Sequence, residues 1–370
     1  MSSAGVLVRE RIRRLVGGRE VAISDGELLT LIACNLVTTV GLAGDIARHL
    51  QNPDDLEGDF LSSWHLVLYA GVLAVAVWLG VGALRHGPEF VIAAGTTTIG
   101  FGLLAFGGVA DALWHEQFGV EANVEALVSP PHLLVFAGLV LLLTSPLVVL
   151  WRRPARRLGL VASVVALVSL VTTVLVISLF TGFLSPLASG LSLSAGYVEP
   201  VVGESTVDYD QVRGLGIAVW TTAVLVAAFT VVLVRFRPMP GLVAVSVFLC
   251  GAPALAIAET ASTGGTSGVR PVVLGYAIAG LVAEGLVALL GRPTLGRAGA
   301  AIVGAAMGSM LWAATFAQLA REGRLGWSES MWMGTVVLCG MVGAVVASLV
   351  ALPAPTGDAV VDSPLGPRPA

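Results

Sequence analysis

Long apolar runs recur along this chain, and they constrain its fold more than any other feature. Each run holds about 20 mostly apolar residues, the length that an α-helix needs to cross roughly 30 Å of hydrocarbon. Only 12% of the 370 residues are charged, whereas about a quarter are charged in a typical soluble domain. Backbone groups inside lipid must be hydrogen-bonded internally, which favours helices. The sequence therefore predicts an all-α, polytopic transmembrane helical bundle of about ten spans.

The expected spans divide the chain into four parts. An Arg-rich segment occupies residues 1–26, four spans cover 27–151, six spans cover 152–352, and a Pro-rich tail without expected order covers 353–370. The expected spans are 27–48, 62–84, 91–114, 131–151, 158–182, 214–235, 240–259, 271–291, 298–319 and 331–352.

The distribution of Arg predicts how the bundle is oriented. If the N-terminus is inside, the cytoplasmic loops hold most of the Arg residues, including the run WRRPARR at 151–157. The opposite side then holds the acidic stretches QNPDDLEGD at 51–59 and VGESTVDYD at 202–210. Cytoplasmic loops of membrane proteins carry an excess of Lys and Arg. We therefore expect a multi-pass protein of the cell membrane with both termini cytoplasmic.

The expected partners follow from the same composition. The apolar spans imply contact with the lipid bilayer. Additional membrane subunits or a second copy of the chain are further candidate partners. No basic patch supports binding to nucleic acid, and no P-loop, dinucleotide-binding glycine pattern or HExxH motif is present.

Two segments within the first four spans repeat one pattern. GLAGDIARH (41–49) matches GGVADALWH (107–115), and HLVLYAG (65–71) matches HLLVFAG (132–138). Four of the five His residues fall at equivalent positions of the two segments, and the fifth, His86, lies in an expected cytoplasmic turn. We interpret the segments as a tandemly repeated helical hairpin.

Each copy of the hairpin brings three ligand-type side chains toward one point. An Asp and a His four residues later share one helix face. A second His then opens the returning helix, after a Ser that can cap it. Two His and one carboxylate are a common ligand set for a first-row transition metal, and copper, zinc and iron all fit it. The candidate metal ligands, as two sites or one dinuclear site, are Asp45, His49 and His65, and Asp111, His115 and His132.

The second copy resembles a known copper-binding motif. Asp-x-x-Trp-His (111–115) followed by Ser-Pro-Pro-His (129–132) is similar to the motif of the C subunit of the copper membrane monooxygenases, which include the particulate methane and ammonia monooxygenases. The resemblance covers about 25 residues. It implies copper bound by Asp111, His115 and His132 near the outer face, and oxidation of a small apolar substrate. The family's Arg-Asp-Thr block between the two His residues is missing here.

Other functions also fit parts of the pattern. In a metal or small-solute transporter, the triads would be entry sites for the transported solute. Glu284, within an expected span, would then belong to a deeper transport path. Alternatively, Glu284 is a hydrogen-bonded structural residue. In a haem-b protein, His65 and His132 would be the axial ligands. In a structural membrane protein, the Asp–His pairs would be ion pairs only. Whether the chain is an enzyme stays open at this point.

Overall fold

The long helices of this chain are of the length and apolarity expected for membrane spans. The computed structural model describes residues 21–51, 62–119, 125–154, 157–186, 209–255, 269–290 and 294–352. Its helices are α1 (Asp25–Gln51), α2 (Ser63–His86), α3 (Glu89–Ala93), α4 (Gly95–Phe118), α5 (Glu125–Val128), α6 (Pro130–Trp151), α7 (Leu160–Phe180), α8 (Tyr209–Arg235), α9 (Leu242–Gly251), α10 (Arg270–Leu290), α11 (Arg297–Arg321) and α12 (Glu329–Val350).

The expected all-α, multi-pass architecture is confirmed. Within the described ranges the structure contains no strand, and nine of its helices are long and apolar enough to cross a membrane. The seventh expected span, 240–259, is described only as a shorter apolar helix, Leu242–Leu255, because residues 256–268 lie outside the described part of the chain. The expected segments 1–26 and 353–370 lie almost wholly outside it as well.

The first four long helices pack as two hairpins, α1 against α2 and α4 against α6. Gly residues in each hairpin let the helix backbones approach so closely that a side chain there would collide with the partner helix. Two contacting pairs occur in both hairpins: Gly41–Leu68 and Gly71–Thr38 in the first, and Gly107–Val135 and Gly138–Leu104 in the second. These pairs are equivalent under the alignment of the two segments, and the second hairpin adds a third close contact, Gly100 against Leu142. The duplication itself stays a prediction from the sequence.

A proline in the middle of α6 creates a link between the two hairpins. Pro146 has no backbone N–H, so it leaves the carbonyl of Leu142 without its usual helical donor. Asn35 Nδ2, on α1, donates to that carbonyl at 3.2 Å, and Ser145 Oγ donates to it at 2.7 Å. Thr97, on α4, donates to Ser145 Oγ at 2.9 Å. Hydrogen bonds thus join α1, α4 and α6 deep within the bundle.

The end of the bundle where α2, α6 and α8 finish is held by guanidinium groups, and we call it the arginine end. Arg153 donates to the carbonyl of Ile23 at 2.8 Å and pairs with Asp25. Arg235 donates to the carbonyls of Trp151 at 3.1 Å and Arg153 at 2.6 Å. These contacts bind main-chain carbonyls at the end of α6, just after it, and just before α1.

Candidate metal-binding site

The second hairpin brings Asp111, His115 and His132 together at the opposite end of the bundle, which we call the Asp–His end. Asp111 and His115 lie one turn apart near the end of α4, and His132 lies in the first turn of α6. Asp111 Oδ1 is 3.6 Å from His115 Nε2 and 3.6 Å from His132 Nδ1. The two imidazole centroids are 6.1 Å apart. The structure therefore places all three residues predicted from the second copy in one cluster.

The carboxylate of this cluster is shielded from water and only loosely contacted. The side chains of Asp111 and His115 are each 14% exposed, and that of His132 is 26% exposed. Asp111 Oδ1 is buried and has no hydrogen-bond partner in the described part of the chain. A buried carboxylate oxygen in that state costs free energy.

The distances in the cluster are longer than those of hydrogen bonds. A separation of 3.6 Å exceeds the usual range for an N–H···O hydrogen bond. Two ligand atoms that each lie about 2.0–2.1 Å from one metal are about 3.3–3.5 Å apart at the tetrahedral angle. The three side chains are thus of metal-ligand type, and their spacings of 3.6 Å are slightly longer than the separation of two ligand atoms on one tetrahedral ion.

The cluster is nevertheless not a preformed coordination shell. Across the described ranges, no group of three or more His, Cys, Asp or Glu side chains is placed to hold a metal ion. His132 Nδ1, the ring atom that faces Asp111, also lies 2.8 Å from Ser129 Oγ. A metal ion bound at Nδ1 would break the contact with Ser129.

The first hairpin repeats part of this arrangement. His65 Nε2 lies 3.5 Å from Asp45 Oδ2, with side-chain exposures of 25% and 13%. Ser62 Oγ lies 3.2 Å from His65 Nδ1. His49 belongs to α1, but its side chain lies outside the described part of the structure. Two of the three residues predicted from the first copy are thus brought together.

Tyr69 connects the two clusters. Its ring stacks on His65 with centroids 5.8 Å apart and an interplanar angle of 10°. It also experiences the charges of both Asp45 and Asp111. Because α2, which carries Tyr69, also contacts α4, the two clusters lie near one seam between the hairpins. A single dinuclear site stays a prediction.

Two residues outside the clusters have partners that the sequence did not reveal. Glu284 Oε2 accepts hydrogen bonds from the backbone N–H groups of Val243 at 3.1 Å and Ala244 at 3.3 Å. It therefore caps the first turn of α9 from the neighbouring helix α10. His86, expected in a cytoplasmic turn, ends α2 and contacts Glu27 at 2.8 Å. Both residues stabilise the arginine end.

Sequence reasoning identified the Asp and His residues but missed the ring contacts of Ser62 and Ser129. The signal that could have revealed them is the spacing Ser-x-x-His, which occurs at the start of both returning helices.

Comparison with known proteins found no match: no protein-family model, no curated protein and no solved structure matches the chain. A function must therefore be argued from the residues themselves.

Proposed function

We propose that this chain is an integral membrane metalloprotein that binds a transition metal, with copper favoured, at Asp111, His115 and His132. The observation that carries the proposal is the buried Oδ1 atom of Asp111. It lies 3.6 Å from a ring nitrogen of each His and has no hydrogen-bond partner among the residues that the structure describes. A cation between these groups would offset the cost of burying the carboxylate.

The ligand chemistry supports a first-row transition metal over a hard cation. Imidazole nitrogens suit copper, zinc and iron, whereas magnesium and calcium prefer oxygen ligands. Copper is favoured because of the local resemblance to the copper membrane monooxygenases. A bound copper ion would supply redox chemistry. If the protein is an enzyme, the reaction we propose is oxidation of a small apolar substrate.

The protein's own residues would position the metal and limit its exposure to water. Asp111 supplies the negative charge, and its helical spacing to His115 fixes two ligands on one face of α4. The close contact at Gly107, where an added Cβ would lie 2.9 Å from Val135 N, brings His132 on α6 to the same depth. The arrangement of Arg residues in the sequence supports a position of the site on the extracytoplasmic side.

Metal content tests the proposal directly. The protein, purified in mild detergent and loaded separately with copper, zinc and iron, would be analysed by elemental mass spectrometry. We expect about one copper ion per chain from the second hairpin, or about two if the first hairpin also binds. The double variant His115→Ala/His132→Ala should lose the metal of the second hairpin. The matched control His86→Ala, at the arginine end, should keep the wild-type content.

A result of no stoichiometric metal after loading with all three ions would overturn the proposal. The second candidate function, a structural role for the Asp–His pairs, would then stand. It is favoured by the absence of a preformed ligand group in the described ranges. It predicts that the double variant lowers thermal stability without any change in metal content, because the wild type would hold none.

The transport and haem alternatives have their own readouts. Transport through Glu284 would require that residue to leave the N–H groups of α9 that it caps, and Glu284→Gln should then abolish uptake into vesicles. A haem bound by His65 and His132 would give a visible absorption band in the purified protein. A purified protein that holds copper or zinc without the strong absorption band of haem would exclude the haem alternative, and an unchanged uptake in Glu284→Gln would count against transport.

A further inference from the structure

We propose that the arginine end binds the phosphate group of an anionic phospholipid. The binding groups are four guanidinium groups around the end of α8, which we call the arginine cluster: Arg157, Arg235, Arg237 and Arg297. This proposal is independent of the metal site, because the Asp–His clusters lie at the opposite end of the bundle.

Main-chain hydrogen bonds assemble the arginine cluster. Leu158 N donates to the carbonyl of Arg237 at 3.2 Å, and Arg157 forms a parallel β-bridge with Arg237. Leu295 N donates to the carbonyl of Leu233 at 3.0 Å, which brings the start of α11 to the end of α8. Three segments that are far apart in the sequence therefore meet at one place, and each of them contributes at least one Arg to the cluster.

The three segments of the arginine cluster contain no carboxylate that would neutralise it. No Asp or Glu occurs in residues 151–160, 233–241 and 294–300. Arg235 donates to the carbonyls of Trp151 and Arg153, but a neutral carbonyl leaves its positive charge uncompensated. Residues paired across a β-bridge lie side by side, and like charges in such a pair are destabilising. An anion bound here would offset the repulsion between the guanidinium groups.

Three acidic side chains from other parts of the arginine end are held by other partners. Asp25 pairs with Arg153, and Glu27 contacts His86. Glu284 accepts backbone N–H groups in the first turn of α9. Among the residues that the structure describes, neither Arg157 nor Arg297 forms an ion pair, and both are exposed. These two guanidinium groups are therefore accessible to an external anion.

The surroundings of the arginine cluster favour a lipid over a soluble anion. Leu160, in the first turn of α7, is 58% exposed, and Trp151, at the end of α6, is 39% exposed. The guanidinium carbon of Arg235 lies 5.8 Å from the centroid of the Trp151 ring. Trp side chains are enriched at the level of the lipid headgroups. A phospholipid can thus place its phosphate at the guanidinium groups and its acyl chains against the apolar side chains.

The ligand chemistry and the expected orientation agree with this partner. A guanidinium group presents its N–H donors in a planar fork that matches the oxygens of a phosphate. The distribution of Arg in the sequence predicts that this end faces the cytoplasm, and the cytoplasmic leaflet of a membrane carries anionic lipids. The arginine cluster therefore fits the headgroup of a lipid such as phosphatidylglycerol.

Lipid binding by the full-length protein tests the proposal. The protein, purified in mild detergent, would be titrated with phosphatidylglycerol and followed by native mass spectrometry and thermal unfolding. We expect a retained lipid molecule and a higher unfolding temperature. Arg157→Gln/Arg297→Gln should weaken binding by about 25-fold, because each Arg near an anionic lipid surface contributes about 1 kcal/mol, equivalent to about 5-fold. Without lipid, this variant should be as stable as the wild type or slightly more so.

A control variant and two control ligands define what would overturn the proposal. Arg270→Gln/Arg321→Gln removes two exposed Arg residues at the opposite end of the bundle and should bind phosphatidylglycerol like the wild type. Phosphatidylcholine and inorganic phosphate should not raise the unfolding temperature. Equal phosphatidylglycerol binding by the wild type and Arg157→Gln/Arg297→Gln would overturn the proposal. An equal effect of inorganic phosphate would overturn it as well, because the cluster would then bind a soluble anion.

A charge reversal separates lipid binding from folding. Arg157→Glu places a carboxylate beside Arg237 across the β-bridge, so attraction replaces repulsion. We expect this variant to unfold at a higher temperature than the wild type without lipid, and to gain no stability from phosphatidylglycerol. A variant that is destabilised without lipid but still stabilised by phosphatidylglycerol would identify Arg157 as a structural residue and overturn its role in lipid binding.

Discussion

The two ends of the first four long helices hold their polar groups in different ways. At the arginine end, Arg153 and Arg235 donate to main-chain carbonyls at 2.6–3.1 Å. At the Asp–His end, Asp45 and Asp111 lie 3.5–3.6 Å from imidazole nitrogens. Buried polar groups in folded proteins are normally hydrogen-bonded. The comparison teaches that the guanidinium groups of the arginine end make direct hydrogen bonds, whereas the carboxylates of the Asp–His end lie farther from the imidazole nitrogens that face them.

Replacing the carboxylate should give the largest contrast between the ends. Asp111→Asn removes the negative charge with little change of shape, so we expect copper binding at the second hairpin to fall by about 100-fold or more. The metal-free variant should be as stable as the wild type or slightly more so, because a buried charge without a hydrogen bond is removed. Chelator competition and thermal unfolding check the two parts. A large loss of stability with unchanged metal content would identify Asp111 as a structural ion-pair partner instead.

The second largest effect is expected from a variant that separates the two helices of the second hairpin. Gly107→Val places a side chain where even a Cβ would lie 2.9 Å from Val135 N. Such overpacking costs about 1–3 kcal/mol and should also move His132 away from Asp111, so both stability and metal affinity should fall. The matched control is Gly108→Val, since nothing lies within 4 Å of a Cβ at Gly108. Equal effects of the two variants would contradict the close packing of α4 against α6.

The arginine end should respond in stability only. Arg153→Ala removes the hydrogen bond to Ile23 and the pairing with Asp25. We expect a loss of about 1–2 kcal/mol, measured as a lower unfolding temperature in detergent, with copper affinity unchanged. A parallel loss of copper affinity would show that the two ends are coupled through the helices.

The smallest effect is expected at Glu284. Glu284→Gln keeps a side-chain oxygen that can accept from Val243 and Ala244 and loses only the charge at the start of α9. A charge in that position contributes about 0.3–1 kcal/mol, so the unfolding temperature should fall slightly and copper affinity should not change. Glu284→Leu removes the acceptor and should cost more. A Gln variant as unstable as the Leu variant would show that the charge itself is required.

The class of fold and the membership of the second cluster could be predicted because both depend on local rules. A span needs a fixed length of apolar sequence, and residues four apart share a helix face. The Ser-Pro-Pro-His step places His132 near Asp111 without knowledge of any other helix. The seventh expected span, 240–259, stays a prediction over its last residues, because the described helix ends at Leu255 and residues 256–268 lie outside the described part of the chain.

The remaining contacts depend on which helices are neighbours, and sequence spacing does not contain that information. Glu284 caps a helix that begins 42 residues earlier at Leu242. His86 contacts Glu27 across a separation of 59 residues. The sequence predicted His86 to be a solvated loop residue, and for Glu284 it supported a proton or ion path as readily as a structural role.

The hydrogen bond between Asn35 and Leu142 also bears on how the protein is inserted into the membrane. Its two residues are 107 positions apart, so α1 leaves the ribosome well before its acceptor on α6 exists. Until then the side-chain amide of Asn35 faces hydrocarbon or the insertion machinery. Exposure of a polar side chain to hydrocarbon costs free energy. This hydrogen bond therefore forms only after α6 arrives. The four helices that carry the Asp–His clusters are expected to assemble during biogenesis as one unit.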